Sequence, residues 1–326
     1  MPLTTAPVQL YRDPAVFERE RTGVFAKTWQ FLGLEADLVR IGDYLAEVIA
    51  GYPLVVVRDE NRQLKGYHNV CRHRAGPLVA DAKGRCDHEF VCQFHKWRYG
   101  FDGGLKEATG FGPAEGFESR DYGLFPIRVE TWRGFVFVNL DPDAKPLIEL
   151  LRPVEERFGS RSDRWAILRD RHPVACNWKV YVENYLEGVH LEGVHAATAD
   201  HHHDVFMEGE VALCGVPNVE NNAESLWTWI WPNLGLTVYR GVLLLEHIRP
   251  DGPDRTQIDH IFLHAPEDPG VDAAILASER ITEDHTWLCE QVQRNLDAGV
   301  YRQGVLSSAH EGAVAWFQER ITALGK

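Results

Sequence analysis

"CRHRAGPLV" occupies residues 71–79 and "CQFHKWRYGFDGGL" residues 92–105. Each stretch opens with a tight Cys/His pair: Cys71-x-His73, then eighteen intervening residues, then Cys92-x-x-His95. The flanking sequence is rich in short β-prone runs broken by Gly and Asp, such as "YLAEVIA", "PLVVVRD", "FVCQF" and "GFVFVNL". Two such pairs on successive hairpin-like loops can present four ligands to one centre. Two thiolates and two imidazoles suit either a zinc ion or a 2Fe–2S cluster in which two histidines hold one iron. Zinc fingers usually pair Cys with Cys and His with His. Here each loop supplies one of each, as the cluster requires. Cys86, Cys176, Cys214 and Cys289 lack histidine partners at such spacing and read as small hydrophobes.

Composition sets the frame. The chain has 326 residues, 44% hydrophobic and 25% charged, with a formal charge of −14. That balance fits a globular protein and argues against nucleic acid or anionic membrane as partner. No apolar run is long enough to cross a bilayer. The N-terminus lacks a secretory pattern, so a cytoplasmic location with reduced thiols is expected.

The β-rich texture runs from about 43 to 140, and "LDPDAKPL" at 140–147 reads as a boundary. Before it, "DPAVFERERTGVFAKTW" predicts a helix capped by Asp13. After it, the pattern predicts helices at 147–158, 178–192, 272–297 and 308–322, with strands at 226–231, 236–249 and 256–264. Trp227, Trp229 and Trp231 alternate on the first of these strands. They make either core or an aromatic wall suited to a flat ring or a methylated ammonium.

The second candidate site is "VENYLEGVHLEGVH", residues 182–195. On a helix Glu183, Glu187 and His190 share a face. Gly188 and Gly193 allow the backbone to bend so that His195 can join His190. Two histidines and a carboxylate form the facial triad that holds Fe(II) with positions left open for O2. Taken alone, the segment reads more readily as a solvated face. On the late helix Asp284 falls on an apolar stripe with Ile281, Leu288 and Val292. A carboxylate buried there calls for a metal or a partner.

The two loops resemble those of the Rieske non-haem iron oxygenases, the terminal components of aromatic ring-hydroxylating and related systems. "NWKVYVENYLEGVH…H" resembles that family's catalytic-iron segment, and "ED…CE.VQ" its late helix. Lys96 departs from the pattern, because the family usually has Gly there. The resemblance spans nearly the whole chain and implies an α+β protein. It has an N-terminal segment over 1–37, an all-β Rieske 2Fe–2S domain over 38–145 and a helix-grip-like catalytic domain with an antiparallel sheet over 146–326. It implies Cys71, His73, Cys92 and His95 as cluster ligands, and His190, His195 and Asp284 as ligands of a mononuclear Fe(II). Glu187 becomes the link between cluster and iron, where the family more often has Asp. Asn184, beside it, either comes near the iron or holds a backbone carbonyl.

The implied activity is hydroxylation, dihydroxylation or oxidative demethylation of an aromatic compound or methylated amine by O2. Electrons would come from NAD(P)H through a separate reductase or ferredoxin, because the chain shows no dinucleotide fingerprint. A homotrimer is implied, with or without small β subunits. Two alternatives stand beside this reading: a Rieske electron-transfer protein without oxygenase activity, and a zinc-stabilised binding protein.

Overall fold

The structure is a computed structural model that describes residues 3–158, 166–187, 205–216, 225–239, 242–264 and 271–323. His190, His195 and His201–His203 lie outside the described residues. The chain divides into two compact units, Phe25–Glu149 and a second made of Met1–Val24 with Leu150–Lys326. The smaller unit begins well before residue 38, because strand Gln30–Leu34 pairs with Phe135–Asn139 inside it. Only the residues up to Val24 group with the larger unit.

The smaller unit is built on a seven-stranded sheet. Its order is Gln30–Leu34, Phe135–Asn139, Pro126–Trp132, Leu64–His68, Tyr52–Arg58, Asp43–Ile49 and Lys83–Arg85. The run "LVVV" at 54–57 is wholly buried because the strand is covered on both faces. Leu54 and Val56 pack into one core cluster with Leu38, Val136 and Val138. Val55 and Val57 point the other way, into a cluster with Phe90, Trp97, Tyr99 and Phe101. That second cluster also contains Cys71 and Cys92, so the two loops are rooted in it. A three-stranded sheet, Phe90–Val91, Arg98–Tyr99 and Leu105–Glu107, carries the second loop.

The larger unit has its own seven-stranded antiparallel sheet. Its order is Ala166–Val174, Thr256–His264, Val242–Pro250, Leu234–Tyr239, Ser225–Ile230, Val211–Val216 and Phe206–Glu208. The stretch expected as one strand over 236–249 is two, in adjacent positions of this sheet. Trp227 and Trp229 sit on strand Ser225–Ile230, whereas Trp231 lies just past its end and packs on Phe317. Helices Trp178–Leu186, Val271–Asp297 and Gly312–Ala323 complete the unit. At Gly235 a Cβ would come within 2.4 Å of the Tyr185 hydroxyl oxygen, so only glycine lets that ring lie on the sheet. Tyr185 then stacks on Trp227, with centroids 5.1 Å apart and planes 24° apart, and tilts against Trp229 at 5.2 Å.

The N-terminal helix Pro14–Glu20 is capped as expected, the Asp13 side chain accepting from the Ala15 N–H. Its last residue, Glu20, reaches the start of helix Trp178–Leu186. There it accepts from Lys179 Nζ at 2.6 Å and from the Trp178 indole N–H at 2.9 Å. Both ends of the ion pair are buried. No helix among the described residues is long and apolar enough to cross a membrane.

Candidate metal centres

The two Cys/His loops have the same backbone design. In the first, the Ala75 N–H donates to the Cys71 carbonyl and the Cys71 N–H to the Gly76 carbonyl, at 3.0 and 2.8 Å. In the second, the Lys96 N–H donates to the Cys92 carbonyl and the Cys92 N–H to the Trp97 carbonyl, at 3.1 and 2.9 Å. The residue four after each cysteine is left-handed, Ala75 at φ 54° and Lys96 at φ 62°. That explains Lys96: the turn demands a conformation glycine adopts freely and lysine adopts at some cost. The Lys96 side chain is exposed.

The loops bring both pairs together. The imidazoles of His73 and His95 lie 4.5 Å apart, and His73 stacks on Trp97 at 4.8 Å with planes 10° apart. Cys71 Sγ is 3.2 Å from the Tyr99 hydroxyl, which itself accepts from the Arg72 N–H at 3.1 Å. With Cys71 ionised as a metal ligand, the Tyr99 hydroxyl is the donor in this contact. Burial holds the Cys71 thiol above its usual range; Tyr99 and the His73 backbone oppose this, while Cys92 adds to it. Burial, His73 and Arg74 all lower His95. His73 Nδ1 is buried and has no hydrogen-bond partner among the described residues. A Cβ on Gly76 would lie 3.0 Å from Cys92 Sγ. Two neighbouring cysteines, a buried imidazole nitrogen on His73 with no partner among the described residues, and a glycine where nothing larger fits are what a 2Fe–2S cluster needs.

In the larger unit a cavity of about 450 Å3 is lined by Tyr11, Glu183, Asn184, Glu187, Leu288 and Cys289, among others. Helix Trp178–Leu186 ends earlier than the 192 expected. Glu187 is already extended, at φ −107° and ψ 142°, with Gly188 next in sequence. Glu183 and Glu187 therefore do not continue one helical face, although both reach the cavity. Asn184 Nδ2 is buried there without a hydrogen-bond partner among the described residues.

Asp284 differs from expectation. It is exposed, and among the described residues helix Val271–Asp297 buries Cys289, Gln293 and Leu296. This stripe is turned by one residue, about 100°, from the one expected through Leu288 and Val292. The stripe continues back to His285, not to Asp284, so burial gives no argument for a ligand at 284.

Two carboxylates escaped the sequence reading. Glu183 is raised to about 7 by burial, against the hydrogen bonds of Tyr11 and Gln318. Its partner is the Tyr11 hydroxyl, which donates to Oε1 at 2.5 Å and accepts from Gln318 Nε2 at 3.2 Å. Glu246 is buried, and burial would raise it, but His260 and His285 hold it below the usual carboxylate range. Nothing in the sequence marks Glu246. Glu183 was visible only as one of three acids in a short segment.

Comparison with known proteins is decisive. Residues 28–118 match the Rieske 2Fe-2S domain, and 162–215 with 208–324 match the ring hydroxylating alpha subunit, catalytic domain. The chain belongs to the Rieske non-haem iron oxygenases. Its membership excludes the zinc-binding and pure electron-carrier alternatives, and makes it an oxidoreductase with a 2Fe–2S cluster and a mononuclear iron. Among relatives of this Rieske oxygenase is choline monooxygenase of Atriplex hortensis, 26% identical over 92% of this chain and 73% of that one. The carnitine monooxygenase oxygenase subunit of Escherichia coli K12 is 32% identical over 60% of this chain and 53% of the relative. In structure, the quaternary ammonium Rieske monooxygenase CntA, solved with L-carnitine, superposes at a TM-score of 0.87. It is 25% identical and the match covers 100% and 96% of the two chains. A naphthalene 1,2-dioxygenase gives 0.78 at 19% identity, covering 98% and 92%.

Proposed function

We propose that this Rieske oxygenase oxidises a C–H bond beside the nitrogen of a small methylated ammonium compound. The observation that carries the substrate class is the stack of Tyr185 on Trp227 and Trp229, with Glu246 close enough to add to burial in raising the Tyr185 hydroxyl. Aromatic faces attract a quaternary ammonium ion through their quadrupoles, and a desolvated carboxylate beside them strengthens that attraction. The relatives named for choline and carnitine support the same class. Flat arenes would gain from the stacking but not from the buried acid.

Cys71, Cys92, His73 and His95 would hold the cluster, and His190, His195 and Asp284 the catalytic iron. With both bound, O2, two electrons and two protons convert the C–H bond to C–OH and release water. Asn184 offers an N–H toward the cavity, where it can orient a substrate oxygen. Glu187, at the end of its helix, would join the iron site to a cluster histidine, His73 or His95, of a neighbouring copy. We infer a head-to-tail trimer on that account, because a heterologous ring interface can set one copy's loop against the next copy's helix. Inter-subunit electron transfer in a quaternary ammonium Rieske monooxygenase supports the same arrangement. Electrons would enter from a reductase or ferredoxin.

The test is oxygen uptake by the iron-loaded protein with a surrogate reductase and NADH, across choline, carnitine, glycine betaine, benzoate and naphthalene. Uptake matched by formaldehyde or aldehyde release from the ammonium compounds supports the reading. Turnover of the arenes alone, giving diols, rejects it. Trp227→Leu should raise KM for the ammonium substrate by about tenfold, the loss of a desolvated cation–π contact of ~1–2 kcal/mol.

A further inference from the structure

We propose that Asp170, His172 and His260 form a binding site for a divalent cation of the zinc class at the edge of the catalytic sheet. The site shares no residue with the cluster or iron ligands proposed above. Strand Ala166–Val174 is the outermost strand, and its neighbour is Thr256–His264. In their register Asp170 stands directly opposite His260, and His172, two residues on, shares that face. One ligand atom from each of the three residues lies within 4.8 Å of the other two.

One separation is that of two ligands around an ion. His172 Nδ1 and Asp170 Oδ2 are 3.4 Å apart. That exceeds the usual range of an N–H···O hydrogen bond, about 2.7–3.2 Å. Two ligands held tetrahedrally at about 2.0–2.1 Å from zinc are themselves roughly 3.4 Å apart. The imidazoles of His172 and His260 lie 5.4 Å apart.

The donor set selects the ion. Two imidazoles and one carboxylate suit Zn2+ or Co2+, whereas Ca2+ and Mg2+ want more oxygens. Three protein ligands leave a fourth position for water. Exposure falls along the cluster, with side chains 57% exposed at Asp170, 21% at His172 and 3% at His260, so an ion can enter from the Asp170 side. Glu246, outside the three, supplies a carboxylate of the kind that fixes a ligating imidazole. With Asp170 it balances the two charges of the ion. Binding would pin the edge strand to its neighbour.

The experiment is calorimetric titration of the full-length protein, loaded with cluster and iron, with Zn2+, repeated with Co2+ read by its visible absorption. One equivalent per chain should bind while iron content stays constant. Asp170→Asn and His172→Asn, both at the accessible rim, should weaken that equivalent by about tenfold or more. His190→Ala, which removes a proposed iron ligand, should keep it. Zn2+ should raise the melting temperature of the wild type and leave that of the two rim variants unmoved. No additional equivalent, equal binding by wild type and rim variants, or loss of the equivalent in His190→Ala would each overturn the proposal.

Discussion

Replacing Glu20 with Gln strands a cation in the interior. Lys179 Nζ is fully buried, 2.6 Å from Glu20 Oε1, and only 3% of the Glu20 side chain is exposed. Removing one partner of such a pair costs about 3–5 kcal/mol, because the remaining charge keeps its desolvation penalty. For a unit of roughly 200 residues each kcal/mol moves Tm by about 2–4 °C, so Glu20→Gln should lower it by about 6–20 °C. Thermal unfolding followed by near-UV circular dichroism measures this directly.

pH gives the deficit a signature. Burial lowers Lys179 and Glu20 raises it, so losing Glu20 drops Lys179 further below 10.5. In the variant the unfolded chain then holds more protons than the folded one between the depressed value and 10.5. Stability must therefore rise with pH through that window, and the gap to wild type must narrow. The double variant Glu20→Leu, Lys179→Met should recover most of the loss. A single-variant cost under ~1 kcal/mol, or a gap that widens with pH, would refute the reasoning.

Glu183 should make the wild type lose stability as pH rises. Its carboxyl titrates near 7 when folded and near 4.5 when unfolded, so the folded state binds the extra proton between those values. Glu183→Gln should flatten the dependence by on the order of 1–3 kcal/mol across pH 4.5–7, read from urea melts at several pH values. Tyr99→Phe removes a hydroxyl directed at Cys71 Sγ. The cluster should stay bound, with its reduction potential shifted down by tens of millivolts in voltammetry, because the hydrogen bond favours the more negative reduced state. Lys96→Gly relieves a left-handed lysine at φ 62° and should raise the stability of the smaller unit by up to ~1 kcal/mol in denaturant melts.

What the sequence revealed was local. Cys71, His73, Cys92 and His95 lie within 25 residues, and spacing alone brought them to one centre. Apolar runs marked the strands, although "LTVYRGVLLLEHI" hid two strands because it is apolar on both sides of its break. The misreading of the late helix has a simple cause. Ile281, Leu288 and Val292 look like a core stripe, but their helix turns Cys289, Gln293 and Leu296 inward. Only contact with the rest of the fold sets that phase. Glu20 with Lys179, and Asp170 with His260, are pairs made by topology across 159 and 90 positions, and no periodicity reports them.

The division of the chain also sets an order of events during synthesis. Residues up to Val24 belong with the unit whose remainder starts at Leu150, and all of the Rieske unit is translated in between. Glu20 leaves the ribosome 159 residues ahead of Lys179. At about 5–20 residues per second that is a wait of roughly 8–30 s. During that interval the host unit lacks its partner strands, while its insert is made from first residue to last. The cluster-binding loops can thus meet their iron and sulfide before the enclosing unit closes, and the first helix spends the same seconds with Glu20 unpaired. Conditions that starve cells of iron–sulfur precursors would act on a nascent chain still waiting for its second half.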